Sequence, residues 1–131
     1  MNTKTHLIYS TVFSLFFVAA CDTKEGETIT IPQQAKVCFT VQHHARIIPE
    51  AEVFIKMNST VYLGYDGTKY DRKVVTDTLA KGCFIELPIG EHTLMSYGYD
   101  AADRLDVLGT KKIVIKKIDE QQTFVMEVSE R

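Results

Sequence analysis

From Ala35 onward, apolar residues recur at every second position. Val37, Phe39 and Val41 alternate with Lys36, Cys38, Thr40 and Gln42, and Ala51, Val53 and Ile55 alternate with Glu50, Glu52 and Lys56. Ile113 and Ile115 sit between Lys112, Val114 and Lys116, while Phe124, Met126 and Val128 flank Val125 and Glu127. Successive side chains on a strand point to opposite faces, so a period of two marks strands with one buried face. No sustained stripe of helical period competes with it. Turn signals divide the runs at Ile48-Pro49, Asp66-Gly67, Lys81-Gly82, Pro88-Ile89-Gly90, Leu108-Gly109 and Asp119 to Gln122. The reading is an all-β, seven-stranded antiparallel sandwich of two sheets sharing one core. Val37, Phe39, Val41, Val53, Ile55, Phe84, Leu87, Leu94, Ile113, Ile115, Phe124, Met126 and Val128 are the expected core.

The first twenty residues differ in kind. Lys4 gives a positive start, and Leu7 to Ala20 then run without a charge, the pattern of a cleavable export signal. As a helix, that run rises only about 21 Å against a hydrocarbon core of ~30 Å, too short for a comfortable span. Val18-Ala19-Ala20-Cys21 resembles the bacterial lipobox, an aliphatic residue and two small ones before a cysteine. The resemblance implies that Cys21 is lipidated and becomes the new N-terminus. Each buried methylene contributes about 0.8 kcal/mol, so two or three acyl chains anchor durably. The expected organisation is a signal peptide over 1–20, a lipidated N-terminus and polar tether over 21–34, and a sandwich over 35–131. Thr28 to Ile31 are an alternative edge strand.

The mature chain carries fourteen basic and seventeen acidic residues. That balance argues against nucleic acid, which requires a basic surface. Cys38 and Cys83 remain after lipidation, in a compartment that permits disulfides. They are either bonded to each other or two free thiols; neither belongs to a CxxC pair or has metal-ligand spacing to a histidine.

A second resemblance runs through the body. Ile48-Pro49-Glu50-Ala51-Glu52-Val53-Phe54-Ile55, Val75-Thr76-Asp77 with Leu79-Ala80, and Phe84 to Leu94 through Leu87-Pro88-Ile89-Gly90 are similar to the transthyretin-like sandwich. In particular they resemble the carboxypeptidase regulatory-like domains of Bacteroidota surface proteins. Two positions depart from that pattern. Ala80 stands where the family usually has glycine, which would pass the positive φ to Gly82, and His92 stands where it usually has tyrosine. The hydroxyisourate hydrolases of this fold neighbourhood end in Tyr-Arg-Gly-Ser, whereas this chain ends Val128-Ser129-Glu130-Arg131. Together with the lack of a nearby histidine and arginine to form the other half of that site, this makes such an activity unexpected.

Other chemistry is thinly signalled. His43-His44, with Glu50 or Glu52, offers ordinary metal ligands, but neighbours in an extended chain point opposite ways and would not converge. No metal or other cofactor is expected. His92 reads as a hydrogen-bonded core histidine without a nucleophile beside it. Asp100, Asp103 and Asp106 lack the spacing, glycine and terminal glutamate of a calcium loop, so they read as a polar loop bridged through Arg104. Asn58-Ser59-Thr60 and Asp77-Thr78-Leu79 match glycosylation triplets that arise easily by chance.

The stronger signal is apolar residues out of phase with the core. With Leu94 and Ser96 inward, as the register of the resembled family implies, Met95, Tyr97 and Tyr99 face outward together, as does Phe54 between Val53 and Ile55, while Tyr62, Tyr65 and Tyr70 fall in the irregular stretch after Asn58. Either a partner covers this stripe or the loop folds over it. The expected function is a lipid-anchored, non-catalytic binding or accessory module of the bacterial cell envelope, at the outer membrane. It would contact another envelope protein, a peptide or a glycan through Phe54, Tyr62, Tyr65, Tyr70, Met95, Tyr97 and Tyr99. A structural spacer that assembles through an edge strand is the alternative, and an enzyme is the third.

Overall fold

The computed structural model describes residues 34–131. The signal segment, Cys21, the Thr28 to Ile31 strand and all of the tether before Gln34 lie outside the described residues. The described chain forms β1 (Ala35–His43), β2 (Arg46–Ile47), β3 (Glu52–Lys56), β4 (Arg72–Val75), β5 (Lys81–Leu87), β6 (Gly90–Asp100), β7 (Leu105–Ile115), β8 (Gln121–Glu127) and β9 (Ser129–Glu130), with one 3-10 turn at Gly67–Lys69. Seven strands have four or more residues, and two-residue β2 and β9 complete the set. None of the described helices is long and apolar enough to cross a membrane.

Two sheets face each other. One is built on β1, which pairs with β5 along one edge and β8 along the other and turns back into β2; the second runs β4-β3-β6-β7-β9. The pairing is antiparallel except between β1 and β8, which run parallel from Lys36 opposite Gln121 to Gln42 opposite Glu127. The exception arises because the chain leaves β7 in one sheet and enters the other as β8. It returns at once: Val128 donates its N–H to the Gln42 carbonyl, and Ser129 and Glu130 then pair with Leu108 and Val107 of β7.

Alternation builds the core. Along β1, Ala35, Val37, Phe39, Val41 and His43 are buried, and Phe39 packs against Phe84 and Phe124 at ring-centroid distances of 5.7 and 6.3 Å. Of the thirteen expected core residues, twelve are buried; Phe124 is half-buried, with Lys111 Nζ lying 4.9 Å from its ring centroid. Ile48, Ala51, Ala80 and Val107 join the core from strand ends and turns.

Several turns differ from the sequence reading. Lys81 and Gly82 lie inside β5, and the turn falls one step earlier, where Asp77 Oδ1 accepts from the N–H groups of Leu79 and Lys81. Ala80 itself takes φ +63°, so the positive φ does not pass to Gly82. Leu108 and Gly109 lie within continuous β7. A Cβ at Gly109 would clash with the Glu127 carbonyl oxygen, so this glycine serves the close crossing of the returning chain rather than a turn.

Cys38 and Cys83 are opposite each other in the β1–β5 register and are joined by a disulfide, with an S–S distance of 2.16 Å. The bond lies half-buried, on the face of β1 away from Val37 and Phe39.

Candidate functional site

The outer face of the five-stranded sheet collects the out-of-phase apolar residues. Phe54 and Met95 are paired in the β3–β6 register, outside the core between the sheets. The segment between β3 and β4 folds over this face. Thr93 Oγ1 donates to the Ser59 carbonyl, the Ser59 N–H to Glu91, and the Tyr70 hydroxyl to Gly64. Tyr70 stacks beside Phe54 at 5.7 Å, and Gly67 lies so close to the Phe54 ring that a Cβ there would clash. Burial pushes the Tyr70 phenol pKa up.

This cover divides the expected contact residues. Met95 is fully enclosed and Tyr70 nearly so; Phe54 and Tyr97 are half-buried. Tyr62, Tyr65 and Tyr99 remain exposed at 45, 53 and 55%. A cleft of about 330 Å³ stays open beside the cover, lined by Glu52, Phe54, Tyr65, Gly67, Tyr97 and Arg131. The Arg131 guanidinium stacks 4.0 Å from the Tyr65 ring centroid. Met95 and Tyr70 thus serve the cover rather than a contact surface, while Tyr62 and Tyr99 stand outside the cleft lining. Arg131 and Glu52 are the residues of the cleft that periodicity did not single out. Arg131 gets there because the returning strand ends beside β7.

A second polar group lies at the β1–β2 hairpin. His43 is 1% exposed, because it continues the inward series of β1, and Nδ1 stands 2.7 Å from Asp100 Oδ2. The same oxygen accepts from Arg46 at 3.0 Å, and Arg46 also pairs with Asp103. Asp100 Oδ1 accepts from the Ala102 and Asp103 N–H groups. These bonds, the one from His43 foremost, hold the Asp100 carboxyl well below the usual carboxylate range despite its burial. The guanidinium comes from Arg46, not from Arg104 as the sequence suggested.

The two histidines also depart from expectation. Their rings stack at 4.0 Å because His44 and Ala45 turn the hairpin with φ of +51° and +67°, so the opposite-sides rule for extended chains does not apply. Glu50 stays in an exposed turn, and Glu52 pairs with Lys73 on the other sheet. The carboxylate within ligand reach of both imidazoles is Glu130.

His92 is fully buried; Nδ1 accepts from the Asn58 N–H at 3.0 Å, and Nε2 lies 2.8 Å from the Pro88 carbonyl. An imidazole accepting at Nδ1 carries its proton on Nε2, so both nitrogens are spent tying the cover segment to the Leu-Pro-x-Gly corner.

No protein-family model matches the chain, and no curated protein sequence matches it. Among solved structures, the chain is similar to the major pilin subunit of Bacillus cereus, with a TM-score of 0.52 and 14% identity. The match covers 76% of this chain and 31% of the pilin, so the chain spans about a third of that protein. A Pseudomonas aeruginosa protein described as a "putative carbohydrate binding protein" matches with a TM-score of 0.49 and 12% identity, over 72% of this chain and 88% of the other. The pilin likeness defines the class as a β-sandwich.

Proposed function

We propose that this chain is an exported, lipid-anchored, non-catalytic binding module of the cell envelope, whose contact surface is the open cleft between Tyr65, Tyr97 and Phe54. The observation that carries the reading is the partial cover. The chain seals Met95 and Tyr70 with its own loop, yet leaves Tyr65 and Tyr97 accessible beside one guanidinium and one carboxylate. Aromatic rings edged by a few polar groups are the chemistry of recognition surfaces, since they offer contact area at low entropic cost. Anchoring rests on the Val18 to Cys21 motif, and the Cys38–Cys83 disulfide suits an oxidising compartment.

Assembly through an edge strand is less well supported, because two of the open edges, along β5 and along the later part of β7, are blunted. Arg72 donates to the Ile85 and Glu86 carbonyls of β5, the Gln122 side chain donates to the Val114 carbonyl of β7, and Lys111 and Lys112 stand on the same stretch of β7. Capped carbonyls and edge lysines are how sheets avoid edge pairing.

The test is site-specific photocrosslinking in producing cells, with the reactive group at Tyr97 or, as a control, at exposed Val125 on the other sheet. A discrete adduct at Tyr97, absent at Val125 and lost on Tyr65→Ala plus Arg131→Ala, is expected. Equal adducts at both positions, or none, would overturn the reading.

A further inference from the structure

We propose that the β1–β2 hairpin end is a divalent metal site of the zinc class, with His43 Nε2, His44 and Glu130 as ligands and Asp100 as the carboxylate behind His43. This site is separate from the aromatic cleft and does not depend on it.

His43 Nδ1 donates to Asp100 Oδ2 at 2.7 Å, the oxygen that also accepts from Arg46, so in the neutral ring the lone pair lies on Nε2. That Nε2 is buried and has no hydrogen-bond partner among the described residues. Buried acceptors are almost always paired, because desolvating one without compensation is costly. A carboxylate holding the far nitrogen of a histidine is also how proteins orient an imidazole toward a metal.

The surroundings supply the remaining ligands. The positive-φ turn folds His44 over His43, and the return of the chain through β9 delivers Glu130. One ligand atom from each of His43, His44 and Glu130 lies within 4.8 Å of the others. Bonds of ~2.1 Å require the donors to draw closer, and exposed His44 and Glu130 are free to move toward the fixed His43. The Asp100 and Asp103 carboxylates lie against the Arg46 guanidinium, so its charge does not stand unopposed beside a cation. Two imidazoles and one carboxylate form a three-ligand zinc set that leaves a fourth position for water. The other grouping, His43 with Asp100 and Asp103, is already consumed by its own hydrogen bonds and by Arg46.

The full-length protein in detergent would be titrated with ZnCl2 by calorimetry and with CoCl2 by visible absorption. One equivalent of zinc and the intense bands of four-coordinate cobalt are expected. His44→Ala and Glu130→Gln alter exposed side chains, so the fold survives, and each should weaken zinc binding at least tenfold. Asp100→Asn should weaken it by about 10- to 100-fold through loss of the carboxylate support. Absence of saturable zinc binding to the unaltered protein, or binding unchanged in both His44→Ala and Glu130→Gln, would overturn the proposal.

Discussion

Replacing Cys38 and Cys83 with serine together should remove much of the domain's stability. The bond joins residues 45 apart, and the loop it closes contains β2, β3 and β4. Closing such a loop in the unfolded chain costs entropy worth about 4 kcal/mol, which the covalent link supplies in advance. Against a total stability of about 5–15 kcal/mol, that loss leaves a marginal domain. Little is lost on the native side, because the β1–β5 register already places the two residues opposite each other and their side chains are only half-buried. Urea unfolding of the double serine variant beside the oxidised parent should show a loss of about 2–4 kcal/mol. The slope against urea should steepen, because an uncrosslinked unfolded chain exposes more surface. An unchanged slope with a loss below about 1 kcal/mol would refute the reasoning, as would two thiols titratable in the unreduced parent.

Phe39→Ala should cost about 3–5 kcal/mol, because Phe39 is buried between Phe84 and Phe124; wild-type melting of the variant would contradict the packing. Asp100→Asn should destabilise the protein most at neutral pH. A carboxyl whose pKa is depressed on folding contributes fully above its unfolded value near ~3.9 and loses that contribution as pH falls toward the folded value, so the gap in Tm between variant and parent should narrow below about pH 4. A gap that widens on acidification would show the opposite linkage. Gly109→Ala should destabilise by more than about 1 kcal/mol, since its Cβ would meet backbone at Glu127 and force β7 and the returning chain apart; an unchanged urea midpoint would show that the crossing is loose.

What the sequence revealed and what it concealed follow from range. Period-two alternation is local, and it located β1, β3, the last part of β7 and β8 with their core residues, while the core positions of β5 and β6 and the outward stripe of Phe54, Met95 and Tyr97 followed from the family resemblance and its register. Turn chemistry was misleading where glycine serves packing, as at Gly109, and at Lys81-Gly82, because the side chain that makes that turn is Asp77, several residues earlier. The hairpin at His44-Ala45 carries none of the Asn-Gly or Asp-Gly signal that such turns favour, so the convergence of the histidines was hidden. Arg46 and Asp100 are 54 residues apart, and Glu130 reaches His43 only because the chain changes sheets after β8. Contacts of that kind leave no local pattern. The division of the tyrosines between cover and cleft depends likewise on the path of the loop, which composition does not specify.

The proposed place of the chain at the envelope requires a lipid on Cys21. Metabolic labelling with an alkyne fatty acid, followed by detergent-phase partitioning of the parent and of Cys21→Ser, tests this directly. A labelled, mature-sized parent in the detergent phase and an unlabelled, unprocessed or mislocalised variant are expected. A Cys21→Ser protein that is still mature-sized, acylated and detergent-soluble would contradict this requirement.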